Sequence, residues 1–194
     1  YELVNELIER YNEWNFRYDK TVNFMCLNGI PKRHRKLTFN YLNINHYGGI
    51  TTLSDINNGI DPYSNYNWDN IENFVNLRNE YKASGVNIIT ESLYTDSSGI
   101  LSEKTLFAFA SMQLPIMIAH KGAVSDARRY GFDMFDDIID HSYDTMPNNI
   151  RWKKALTLNR KIIDGKYHDL EERLISNKQY LLQGYLFQIT KHLI

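Results

Sequence analysis

Apolar residues recur at three- and four-residue spacings at Leu3, Leu7, Ile8, Tyr11 and Trp14, which predicts a helix with one buried face over Glu2 to about Trp14. The period then changes. Thr21 to Leu27 is short, mostly apolar and rich in strand formers, and it stops at Asn28-Gly29, a turn signal. Pro31 stands where a first helical residue tolerates it, and Leu37, Phe39, Leu42 and Ile44 continue a helix up to Gly48-Gly49. The stretch from Ile50 to Asp69 is rich in Asn, Ser, Gly and Asp and reads as a long loop with room for one short strand. Asp69 is placed to cap a helix carrying Ile71, Phe74, Val75, Leu77 and Tyr81 and ending near Gly85, and Val86 to Thr90 follows as a buried strand.

The second half repeats the alternation. Ser102 caps a predicted helix through about Met112, Leu114 to Ala119 is a strand, Ala123 to Tyr130 is a helix closed by Gly131, and Phe132 to Phe135 reads as a short fourth strand. Arg151 to Ile163 and Asp169 to about His192 are closing helices. Strands alternating with helices predict an α/β fold: an open parallel sheet of about four strands with helices on both faces. The expected organisation is an N-terminal helix over 1–19, as a linker or the remnant of a preceding domain, one Rossmann-like domain over 20–167, and a C-terminal helix over 168–194 packed back on it.

Composition narrows the function classes. The 22 Lys+Arg against 23 Asp+Glu give a net charge of −1, so any anion site must be local rather than a property of the whole surface. The single cysteine, Cys26, makes no internal disulfide and supplies no zinc ligand set, which fits a cytoplasmic protein. No apolar run reaches the roughly 18 residues of a spanning helix. There is no phosphate loop, no GxGxxG after a strand and no GxSxG elbow, and the six histidines form no HxxxH or HxH pair. No metal site is expected. Asp133, Asp136, Asp137 and Asp140 form an acidic cluster that reads as a cation site or as a solvated helix start, with a spacing that follows no oxygen-cage loop.

In an open parallel sheet, ligands bind beyond the carboxyl ends of the strands. Two loops at that edge carry charge that the fold does not need. The first is Asn28-Gly29-Ile30-Pro31-Lys32-Arg33-His34-Arg35-Lys36, four fixed cations and a histidine opening a helix. Cations there oppose the helix dipole, which a bound anion would resolve, and a solvated basic face is the other reading. The second is Ser102-Glu103-Lys104, where Glu103 suits a first helical turn and Lys104 does not. Together they can hold a diol and a phosphate of one ligand, although Glu103 also serves as plain helix-start decoration.

Ile88-Ile89-Thr90-Glu91-Ser92, then Ile100 to Leu106 with Ser102-Glu103-Lys104, then Leu114-Pro115-Ile116-Met117-Ile118, resembles the donor-binding half of the α1,3-fucosyltransferase family. That family carries Phe-Glu-Asn-Ser, Tyr-x-Thr-Glu-Lys and a Pro-Val-Val strand in the same order. The turn from Asn28 to Arg35 is similar to its opening Ser-Asn-x(n)-Arg turn, and Ser102 to Asp144 also resembles viral and bacterial glycosyltransferase-like proteins. The likeness covers roughly residues 20 to 145.

It implies the Rossmann-like, donor-binding half of a GT-B glycosyltransferase. Such a chain uses a nucleoside-diphosphate sugar as donor, needs no cofactor and no metal, and takes a glycan or a modified nucleic acid as acceptor. It also implies that Glu103 holds the ribose hydroxyls, that Lys104 and Arg35, with Arg33 as near alternative, hold the diphosphate, and that Asn28 and Ser102 belong to the donor site. Glu91 faces the transferred sugar. Ile100 stands where the family has a tyrosine and Ser92 where it has an asparagine, so the sugar is left open. An acceptor domain would precede such a half. Two further readings stand beside this one: a non-catalytic nucleotide-binding module, and a nucleic-acid binder that grips phosphates with Lys32 to Lys36.

Overall fold

The computed structural model describes residues 18–46, 48–53, 76–95 and 101–183. Four strands form one parallel sheet in the order β2-β1-β3-β4: β1 (Val22–Asn28), β2 (Gly49–Leu53), β3 (Ser84–Thr90) and β4 (Leu114–Ile118). Phe24 lies opposite Gly49 and Val86, and Val86 opposite Leu114, so the register runs unbroken across the sheet. Seven α-helices accompany it among the described residues: α1 (Arg33–Asn45), α2 (Arg78–Ala83), α3 (Glu103–Ala110), α4 (Ala123–Arg129), α5 (Asn148–Leu158), α6 (Arg160–Ile163) and α7 (Glu171–Gln183).

The alternation of β1 side chains shows that helices cover both faces. Phe24 meets the ring of His46, just past α1, edge-on at 6.1 Å. Met25, one residue on, accepts a contact from Gln113, just past α3, at Sδ. The crossover β1-α1-β2 moves one way along the sheet and β3-α3-β4 the other. Because such crossovers are right-handed, α1 and α3 fall on opposite faces. Every residue of β3 and β4 is buried, as expected of continuous apolar runs in a parallel sheet. β4 ends the described sheet, and its outward Met117 N–H donates to the buried Tyr143 hydroxyl at 3.2 Å, so this edge group is capped.

The sheet is the one expected, but its fourth strand is a different segment. The predicted strand Phe132 to Phe135 is not one. Phe135 sits at φ 58°, in the left-handed region, and no ladder can pass through it. Asn177 takes the place of a neighbouring strand, accepting from Asp133 N at 2.9 Å and donating to its carbonyl at 2.7 Å. The aromatic character that resembled a strand is core packing, with Phe132 stacked on Phe109 at 4.1 Å. The fourth strand is β2, within the stretch read mainly as loop.

Element boundaries also move. β3 begins at Ser84, before the expected Val86, and α2 is the described part of the helix predicted from Asp69. The expected helix over 1–19 and most of the 50–69 loop lie outside the described residues, as does the end of the last helix beyond 183. α7 packs against α3 with Leu174 and Leu181 buried. The acidic cluster is built into this packing: Arg173 of α7 donates to both Asp133 and Asp137 at 2.8–3.0 Å, and Arg128 pairs with Asp136.

One contact reports directly on the β1-β2 register. A methyl group at Gly49 would lie 2.2 Å from Cζ of Phe24, whose ring is 1% exposed and has nowhere to move. We expect Gly49→Ala to lower stability by about 1–3 kcal/mol, the usual cost of overpacking a core. A urea midpoint equal to that of the parent would mean that the Phe24 ring does not cover this position.

Candidate functional site

Between β1 and β3 the connections step apart, β1 leading outward to β2 and β3 outward to β4, and this is the place where doubly wound sheets bind ligands. The loops leaving these two strands are Asn28 to Lys32 and Glu91 to Thr95, and α3 starts nearby at Ser102. The site can therefore be built outward from the ends of the strands.

Asn28 closes β1 and is 1% exposed. Its Nδ2 donates to Thr52 O at 3.0 Å and to Cys26 Sγ at 3.3 Å, and its Oδ1 accepts from the Thr90 hydroxyl. It thus ties β2, β1 and β3 together at their carboxyl ends, and the side chain is fully engaged by protein. Cys26 beneath it is buried, which pushes its thiol up to about 12 and keeps it protonated.

The basic run divides along the helix period. His34, Arg35, Thr38 and Leu42 form the inward face of α1, while Lys32, Arg33 and Lys36 stay exposed. Arg35, 3% exposed, donates to Ile30 O and Thr90 O at 3.1 Å and to Ser92 Oγ at 3.0 Å. Burial lowers its affinity for the proton and the nearby Glu91 carboxylate opposes that. Its two terminal nitrogens hold the β1-α1 loop to the end of β3 and its Nε is buried without a partner, so Arg35 presents no exposed fork to the diphosphate it is expected to grip. Arg33, its alternative, is exposed and has no hydrogen bond or ion pair among the described residues.

Glu91 is the junction of the site. It is 5% exposed, and its Oε1 accepts from Ser102 Oγ at 2.6 Å and Thr105 Oγ1 at 2.9 Å. Ser102 is the N-cap of α3, its Oγ accepting from Lys104 N at 3.2 Å. The Glu91 carbonyl meanwhile meets His34 Nε2 at 3.0 Å. One residue therefore links the start of α3 on one face of the sheet to the start of α1 on the other. Glu103 and Lys104 follow in the first turn of α3, paired with each other at 2.6 Å and partly exposed at 34% and 21%. A pair this accessible contributes about 0–1 kcal/mol, so a ligand can redirect it at small cost.

No protein-family model, curated protein or solved structure matches the chain. The chemistry therefore rests on the residues themselves.

The structure brings Asn28, Arg35, Glu91 and Ser102 into one hydrogen-bonded network, with Glu103 and Lys104 at its edge and Arg33 apart from it. Sequence reasoning missed Thr90, Ser92 and Thr105, which complete the network, and Tyr94, whose ring stacks on His34 at 4.3 Å. Thr105 lies three residues after Ser102 on the same face of α3, a spacing that signals a shared partner. At the end of the Ser102 to Asp144 stretch, Tyr143 caps β4, and Asp144 accepts from Val124 N and Ser125 N at the start of α4. Among the described residues, no group of three or more His, Cys, Asp or Glu is placed to hold a metal ion, and no helix is long and apolar enough to cross a membrane.

Two tests follow from this geometry. Arg35→Ala leaves two backbone carbonyls and Ser92 without their donor and should destabilise the protein by about 1–3 kcal/mol, whereas Arg33→Ala should stay within about 0.5 kcal/mol of the parent. Equal urea midpoints for the two variants would refute the division of the basic run.

The second test concerns pH. Burial holds His34 down to about 4, below the ordinary 6.5 of an unfolded histidine. Between these values the unfolded chain binds the extra proton, so His34 costs stability as pH falls from about 6.5 towards 4. His34→Gln keeps a donor for the Glu91 carbonyl and should flatten the stability profile between pH 7 and 5. An equally steep profile would assign that slope to other groups.

Proposed function

We propose that this chain binds a nucleoside-diphosphate sugar at the carboxyl edge of β1 and β3 and is the donor-binding part of a glycosyltransferase of the hexosyl- or fucosyltransferase-like kind. The observation that carries the reading is the fixing of the Glu91 carboxylate by Ser102 and Thr105, which sets the first turn of α3 at the switch point. In that arrangement Glu103 accepts from the ribose hydroxyls, and Lys104 with the start of α3 meets the diphosphate. Oε1 of Glu91 is taken, and its Oε2, which has no hydrogen bond to the described residues, faces the sugar.

In the reaction an acceptor hydroxyl oxygen forms a bond to the anomeric carbon as the bond from that carbon to the diphosphate oxygen breaks. The electron pair leaves with the nucleoside diphosphate, and the hydroxyl proton passes to a base. Negative charge grows on the leaving group, where Lys104 and the α3 dipole stabilise it without calling on a metal ion. Arg35 acts indirectly, by holding the loop and the end of β3. The acceptor is a glycan or a modified nucleic acid. We place the reaction in the cytoplasm, that of the host for a viral source, because the lone Cys26 offers no disulfide framework.

A non-catalytic nucleotide-binding module uses the same residues and differs only in lacking transfer. Release of sugar from a nucleotide sugar by the parent, lost in Glu103→Ala and Lys104→Ala, separates the two. A phosphate-gripping nucleic-acid patch is less well supported, because His34 and Arg35 turn inward and leave only Lys32, Arg33 and Lys36 exposed.

Calorimetric titration with GDP, UDP, ADP and CDP tests the reading. One diphosphate should bind, and Lys104→Ala should weaken it about tenfold, or about 1.4 kcal/mol. The donor assignment fails if no diphosphate binds or if Lys104→Ala binds as the parent does.

A further inference from the structure

A cavity of about 420 Å³ opens between the starts of α1 and α5, with Lys32, Arg33, His34, Asn148, Asn149 and Trp152 among its walls. It lies on the α1 side of the sheet, and neither Glu103 nor Lys104 lines it. None of its described walls is acidic, and it receives two exposed cations. The helices that meet there, of 13 and 11 residues, have no acidic residue in the first turn and no side-chain cap. Residues of both first turns line it, so the positive ends of two helix dipoles lie beside the same space.

An independent observation narrows what fills it. The His34 ring is 6% exposed, and its Nε2 donates to the Glu91 carbonyl at 3.0 Å, which leaves Nδ1 unprotonated. Nδ1 has no hydrogen-bond partner among the described residues, and the ring it belongs to is a wall of the cavity. An acceptor on this wall is met by a ligand that carries a hydroxyl donor, and a bare phosphate dianion has none to give. Trp152 adds a flat apolar wall.

We propose that this cavity binds a sugar phosphate. Its phosphate meets Arg33, Lys32 and the two helix starts, a sugar hydroxyl donates to His34 Nδ1, and the apolar face of the sugar ring lies on Trp152. The site goes beyond the donor crevice and shares neither Glu103 nor Lys104 with it, so either assignment can fail alone.

Glucose 6-phosphate is the probe, titrated into the 194-residue chain with glucose and inorganic phosphate in parallel. Glucose 6-phosphate should bind saturably, each of the other two at least about fivefold more weakly. The ¹⁵N resonance of His34 Nδ1 should move as the site fills. Arg33→Ala and Asn149→Asp should each weaken binding by about fivefold or more. Both positions are exposed, and a carboxylate in the first turn of α5 favours that helix, so the fold tolerates the changes. Lys104→Ala should leave this binding unchanged. The proposal is overturned by absence of saturable binding, by equal affinity for inorganic phosphate, or by an unmoved His34 resonance. It is also overturned if Arg33→Ala and Asn149→Asp bind as the parent does, or if Lys104→Ala weakens binding as much as Arg33→Ala.

Discussion

The crevice depends on a buried guanidinium. Arg35 leaves water at a cost of several kcal/mol, and what offsets that cost is a set of acceptors in the right places: Ile30 O, Thr90 O and Ser92 Oγ. Those acceptors are the loop after β1 and the end of β3, the two sides of the switch point. Asn28 performs the same task one layer down, through Thr90 and Thr52. With both in place the ends of the strands cannot splay, and Glu91 is held at a fixed height above the sheet.

Much of the fold was legible in the sequence because parallel strands announce themselves. Val86 to Thr90 and Leu114 to Ile118 are unbroken apolar runs bounded by turns, and both are strands. Phe132 to Phe135 carries a similar aromatic density for another reason: its side chains fill the space under α7 while its backbone is satisfied by Asn177. Composition cannot tell those two cases apart, since it is blind to a left-handed φ at Phe135. β2 was obscured by its own composition, Gly-Ile-Thr-Thr-Leu, half-buried and set in a polar neighbourhood.

The candidate site was legible in part. Glu91, Ser102 and the loops that carry them stand where the strand-end rule puts them, because a switch point follows from topology alone. The fate of the basic run was not. Five consecutive polar side chains read as solvent-facing or ligand-facing, yet counting back in fours from the buried Leu42 gives Thr38 and then His34, with Arg35 beside it. The inward face of α1 is thus polar by design of the site above it: histidine and arginine turn in because strand-end carbonyls await them, while Ile44 is left 72% exposed. Charge patterning alone gives the opposite answer.

The same clamp has a bearing on how the protein folds. Arg35 and Thr90 are 55 residues apart in the chain, and Asn28 and Thr90 are 62 apart. Closing loops of that length comes at an entropic cost that the strand pairing must meet before these bonds can form. A short peptide spanning Lys32 to Lys36 holds all of the charge of the basic run and none of its division into clamp and surface. That division is acquired only when distant strands have met, so the crevice is a property of the assembled sheet and arrives with it.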